Sequence, residues 1–114
     1  MKFFKFEDIV AWQKSGALVI EVYETFRDCR DYSFRDQIQR AAVSIMNNIS
    51  EGFERKTNKE FINFLFIAKG SCAEVRSMCY LAVKLNYINK DKFDKWCLQT
   101  IEISKMLSGL IKTL

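Results

Sequence analysis

Apolar residues return every three or four positions along nearly the whole chain, the spacing that lines them along one side of an α-helix. From about residue 7 to 28, Ile9, Trp12, Gly16, Val19, Tyr23 and Phe26 form such a line, and Asp8 is placed to cap its start. A second line, Ile38, Ala42, Ile45, Ile49 and Phe53, predicts a helix over about 34–55, with Gly52 as a stop signal. Thr57 and Glu60 have the spacing of a capping box ahead of a third helix, about 58–86, whose core line is Phe61, Phe64, Leu65, Ala68, Cys72, Val75, Cys79 and Ala82. Residues Asn86–Asn89 read as a turn, with Asn89 capping a fourth helix over about 90–113 that carries Phe93, Trp96, Cys97, Thr100, Ile103, Ser104, Leu107, Leu110 and Leu114. Four helices of this length joined by short loops predict an all-α, antiparallel up-down-up-down four-helix bundle, one domain over 1–114.

Two faces depart from that simple pattern. The third helix is apolar on more than one side: Ile67, Met78, Leu81 and Leu85 form a second line, and Ile62, Phe66, Ala73 and Tyr80 a third. One bundle core needs a single broad stripe, so the surplus calls for a cover. Another copy of the chain is one cover, with Ile62, Phe66, Ile67, Met78, Leu81 and Leu85 as interface candidates. A broad core helped by the Phe3-Phe4-Phe6 segment is the other. On the second helix, Gln37, Arg40, Ser44, Asn47, Asn48, Glu51 and Arg55 fall together opposite the apolar line. Amides, a hydroxyl and arginines suit directional hydrogen bonding better than a plain solvated face of Lys and Glu would. That face reads as an ordinary wet surface, an inter-subunit polar network, or a surface for phosphates and base edges.

Charge sharpens the second half of the chain. Lys+Arg total 18 against 14 Asp+Glu, and residues 1–56 balance at nine of each, so the whole +4 excess lies in 57–114. Lys90, Lys92 and Lys95 cluster there, with Lys69 and Arg76 upstream. A basic surface gives affinity for a polyanion, and a ring of copies would multiply it. Pro and His are absent, which disfavours an all-β fold with its frequent special turns and removes the commonest general base and metal ligand. A di-iron site of the kind bundles hold needs Glu-x-x-His pairs and cannot be built. No phosphate-binding, nucleophile-elbow or zinc-protease motif occurs. Glu51 and Glu74 are the only carboxylates deep within helices two and three, with no nucleophile beside them. The expectation is a protein without catalysis, cofactor or metal. Met1–Lys5 lack the apolar core of a signal peptide and no run spans a membrane, so a cytoplasmic chain is expected, its Cys29, Cys72, Cys79 and Cys97 reduced.

The stretch Gln37-Ile38-Gln39-Arg40-Ala41-Ala42-Val43-Ser44-Ile45-Met46-Asn47-Asn48-Ile49-Ser50-Glu51-Gly52-Phe53-Glu54-Arg55 closely resembles the signature of the bacterial four helix bundle protein family, the 23S rRNA intervening-sequence proteins. Phe6-Glu7-Asp8-Ile9 with Trp12, then Phe61, Phe64-Leu65, Ala68, Gly70-Ser71 and Glu74, extend the resemblance over essentially the whole chain. It departs between helices one and two, where Arg27–Phe34 stands in place of the family's usual proline and glycine. The resemblance implies a small bundle that assembles as a ring, commonly a pentamer. A related branch comprises accessory proteins of diversity-generating retroelements, whose basic rings bind RNA and a reverse transcriptase.

Two functions follow as expectations. The first is a homo-oligomeric accessory protein that binds nucleic acid, RNA above all, through Arg40, Arg55, Lys69, Arg76, Lys90, Lys92 and Lys95. Gln37, Ser44, Asn47, Asn48 and Glu51 then form a polar network or interface. The second is a protein-interaction scaffold with no nucleic-acid ligand.

Overall fold

The computed structural model describes residues 3–114; Met1 and Lys2, part of the segment read as lacking a signal sequence, lie outside it. A short 3-10 turn, Phe6–Asp8, leads into α1 (Val10–Thr25), α2 (Tyr32–Phe53), α3 (Asn58–Lys84) and α4 (Lys90–Lys112). The three later helices start where a side chain takes up a free amide. Asp31, Thr57 and Asn89 accept from the backbone N–H groups of Phe34, Glu60 and Lys92. Thr57 also donates its hydroxyl to Glu60 Oε2 at 3.1 Å, so the box closes between side chains instead of returning to the Thr57 amide. Beyond the last residue of α3, Lys84, and its cap Leu85, Asn86 with a φ of 61° turns the chain left-handed while Tyr87 N–H reaches back to the Ala82 carbonyl at 2.8 Å.

Cross-helix contacts define the topology. Gln37 meets Glu74, Ser44 meets Ser71, and Gly52 lies against Phe64, so α2 and α3 run in opposite directions. Tyr80–Phe93 and Lys69–Ser108 do the same for α3 and α4. Glu21–Lys95 and Lys14–Glu102 do so for α4 and α1, which makes α1 antiparallel to α2 as well. The up-down-up-down arrangement therefore stands, in a body of 43 × 22 × 19 Å. One continuous core runs its length, centred on Leu18, Val22, Phe26, Ile38, Ile45, Ile49, Leu65, Val75, Trp96, Ile103 and Leu107.

Several sequence expectations are corrected. α1 begins at Val10, not near residue 7, because Phe6–Asp8 winds as a 3-10 turn; Asp8 lies inside that turn and Ile9 takes the cap position without a side-chain bond. α1 also buries a neighbouring line, Ala11, Ser15, Leu18 and Val22, while Tyr23 is exposed. Its apolar residues spread so widely that two adjacent lines were readable. Small Ser15 fits the interior by donating its hydroxyl to the Ala11 carbonyl at 2.6 Å. Gly52 does not stop α2. It is buried inside the final turn, where α3 passes too close for a side chain.

Candidate functional site

The polar face of α2 folds into an open depression of about 510 Å³ lined by Gln37, Arg40, Ser44, Asn47, Asn48 and Glu51, with Glu74 contributed by α3. Six of the seven residues that the helical period placed together thus share one site. Its floor is a hydrogen-bonded chain. Ser71 Oγ donates to Ser44 Oγ at 2.9 Å, and the Asn48 amide donates to the Ser44 carbonyl at 2.8 Å and its hydroxyl at 2.9 Å. Gln37 reaches Glu74 only at 3.5 Å, the outer limit of a hydrogen bond. Around that floor Arg40, Asn47 and Glu51 are exposed. Ser44 therefore ties α2 to α3 through Ser71 and is itself held by Asn48 of its own helix, whereas Arg40, Asn47 and Glu51 present open donors and acceptors. One guanidinium against two carboxylates makes the depression a poor seat for phosphate.

Arg55, expected on the polar face of the second helix, lies just beyond the end of α2 instead, its guanidinium 4.7 Å over the Phe64 ring, beside a smaller hollow formed with Phe6, Ser50, Glu51 and Glu54. Ser71 stands in the sequence only as a match to the family signature, and its contact with Ser44 was not read there. The signal that would have found it is register: on antiparallel α2 and α3, contacting numbers add to about the same total, as 44 and 71 do with 37 and 74.

The basic candidates do not form one patch. Lys90 Nζ is 2.8 Å from Asp94 Oδ1, and Lys95 Nζ is 2.8 Å from Glu21 Oε1. Lys92 turns to the α1 side, 3.4 Å from Thr25 Oγ1 and 5.5 Å over the Trp96 ring. Burial pushes the Glu21 carboxyl up, but Lys95 and Gln99 outweigh it and hold the group below its ordinary value, so it stays an anion facing Lys95. Two of the three clustered lysines thus carry their own counter-charge.

Lys69 and Arg76 differ. Both are half-buried on α3 along the edge facing α4, and neither makes an ion pair among the described residues. Lys69 donates to the neutral hydroxyl of Ser108, another contact the sequence reading missed. Arg76 stands over a thiol-lined interior. Burial pushes Cys72 up to about 12 and also raises Cys97, with the Arg76 charge opposing in both cases. Both thiols stay neutral, so neither supplies a counter-charge to these cations, and the carboxylate acting on Cys97, that of Asp94, is taken up by Lys90.

The interface candidates divide as well. Phe66, Ile67, Leu81 and Leu85 are exposed, at 56%, 52%, 47% and 44%. Ile62 is half-buried, and Met78, expected at an interface, is buried in the chain's own core. The Phe6–Asp8 turn touches α1 and α2 and does not reach α3, so it covers none of this surface. Among the described residues no three Cys, Asp or Glu side chains gather as a metal ion requires, and no helix is long and apolar enough to cross a membrane.

Comparison with known proteins is informative on two counts. The model of a family described as 23S rRNA-intervening sequence protein matches residues 7–109. The fold is similar to the crystal structure, at 1.70 Å, of a protein of unknown function from the S23 ribosomal protein family of Bacteroides thetaiotaomicron VPI-5482. That likeness has a TM-score of 0.83 at 25% identity and covers 90% of this chain and 98% of the other. No curated protein matches.

Proposed function

This chain belongs to the 23S rRNA-intervening sequence protein family, and from that premise we propose that it is a non-catalytic, homo-oligomeric accessory protein that binds RNA through the α3/α4 edge. The observation that carries the reading is the pair Lys69 and Arg76, which lack the carboxylate partners held by Lys90 and Lys95. Seven residues separate them, about 10 Å along the helix. Lys105 and Lys112 add two exposed cations on α4, within about 60° of Ser108 around the helix. A row of such charges releases counterions when it meets a phosphate backbone.

Copies of the chain meet through Ile67, Leu81 and Leu85, which lie within about 40° of one another on α3, next to the open groups of the α2 depression. A closed, pentamer-like ring follows the family resemblance and would place the basic edges side by side. Titrating the purified protein with a labelled structured RNA between about 50 and 200 mM salt tests the reading. Steep weakening across that range is expected; no binding at low salt would refute it.

The charge balance of the α2 depression favours a second reading, a protein-interaction scaffold. Under it, a tagged copy recovers one protein in fixed ratio after nuclease treatment, and loss of every partner under nuclease counts against it.

A further inference from the structure

The third apolar line of α3 has no role in the core, and it shares its side of the helix with Lys69 and Arg76, which make no ion pair among the described residues. Taking 100° per residue, Phe66, Lys69, Ala73, Arg76 and Tyr80 fall within an arc of about 80°. Ile67, Leu81 and Leu85 lie about 130° from the middle of this arc on average. Along this arc an aromatic ring stands at each end, about 21 Å apart, with both cations between them. Phe66 is 56% and Tyr80 55% exposed, so each ring keeps much of its surface open to a ligand. Tyr80 is also held in place, edge-to-face against Phe93 at 4.9 Å and 84°, so little ring freedom remains to be lost on binding.

We infer that this arc is a binding track for unpaired nucleotides: Phe66 and Tyr80 stack on bases while Lys69 and Arg76 neutralise the phosphates between them. Positive charge tracks a backbone of any form, but a protruding ring engages only a base whose face is free. Ala73 at the middle of the arc keeps the approach between the rings low. The inference rests on the proposed binding of RNA at this edge and adds which form of the nucleic acid is preferred.

The test compares an unpaired pyrimidine-rich RNA 12-mer with the same sequence annealed to its complement, against the parent protein and the Phe66→Ala, Tyr80→Ala, Tyr80→Trp and Lys69→Gln/Arg76→Gln variants. Tyr80→Ala and Phe66→Ala should each weaken binding of the unpaired strand by about tenfold. They should leave duplex binding and the salt dependence unchanged. Tyr80→Trp should keep the affinity, and the added indole should be quenched on binding, which separates lost stacking from misfolding. Equal losses on both forms, or full affinity of both alanine variants for the unpaired strand, would overturn the track. If Lys69→Gln/Arg76→Gln still lowers affinity in that case, the nucleic-acid reading survives without it. Failure of the parent to bind either form overturns both. An unpaired DNA of the same sequence tells whether the sugar is read: equal binding or a preference for RNA each upholds stacking, and binding of duplex alone overturns it.

Discussion

Replacing Gly52 by alanine should destabilise the bundle although alanine is the better helix former. A Cβ at position 52 would stand 2.6 Å from Phe64 Cβ and 2.9 Å from Phe61 Cδ1. Ordinary contact begins near 3.4 Å, so α2 and α3 must separate locally by 0.8 Å, the difference between 3.4 and 2.6. No rotamer change relieves this, because the obstructing atom is itself a Cβ fixed to the α3 backbone. Overpacking of this kind costs about 1–3 kcal/mol. The helix advantage of alanine over glycine returns at most about 1 kcal/mol, and less in a final turn. The net loss should be about 1–2 kcal/mol, or roughly 4–8 °C in Tm. Gly109, on the exposed side of α4, supplies the opposite case: nothing lies within 4 Å of its added Cβ. Gly109 is also in a final turn, that of α4, so Gly109→Ala should stabilise by about 0.5 kcal/mol. Urea denaturation of both variants at one fixed protein concentration gives the two signs directly. A Gly52→Ala protein as stable as the parent at equal m, or a shift of the same sign in both, would refute the close-approach argument.

Three further outcomes are expected. The Tyr87 hydroxyl donates to Asp31 Oδ2 at 2.7 Å, which together with the Phe34 amide holds the Asp31 carboxyl below its ordinary 3.8 and raises Tyr87 above 10. A depressed acid contributes fully above its unfolded value and a raised phenol fully below its own, so this clamp should be intact between about pH 4 and 10 and weaken beyond either end. Stability measured across pH should show Asp31→Asn flattening the acid limb, and an unchanged limb would count against the clamp. Burial pushes Cys72 and Cys79 up to about 12, so in the folded protein neither should react with a thiol reagent at pH 8; rapid labelling of either would contradict their burial. Leu81→Glu and Ile67→Glu, both at exposed positions, should lower the mass in solution without unfolding the chain, and an unaltered assembly would exclude that face as the contact between copies.

The helices were legible because long segments keep one apolar period and two of them open on caps that the sequence shows, Thr57 and Asn89; the Asp31 cap was not read, and α2 starts at Tyr32 instead of near 34. α1 was read one line off for the converse reason. Its apolar residues surround much of the helix, and small Ala11 and Ser15, which let α1 pack closely, carry little hydrophobic signal. The α2 depression was legible since all its members but Glu74 lie near one helix face and obey one angle. Pairings across helices were not. That Lys95 meets Glu21 and Lys90 meets Asp94, while Lys69 meets only Ser108, depends on register and side-chain direction, which counting charge by segment averages away. The same averaging made Lys90, Lys92 and Lys95 look like the stronger basic feature, although Lys90 and Lys95 are paired with carboxylates and Lys69 and Arg76 are not.

The most direct test of the central claim is the salt dependence of RNA binding for the parent, for Lys69→Gln/Arg76→Gln and for Lys90→Gln/Lys95→Gln. For an unpaired strand each neutralised phosphate contributes a slope of about −0.7 in log affinity against log salt. Loss of Lys69 and Arg76 should therefore weaken binding and flatten the slope by about 1.4 per chain, while loss of the already paired Lys90 and Lys95 should change it far less. Equal effects of the two double variants, or a parent slope retained without Lys69 and Arg76, would contradict the account.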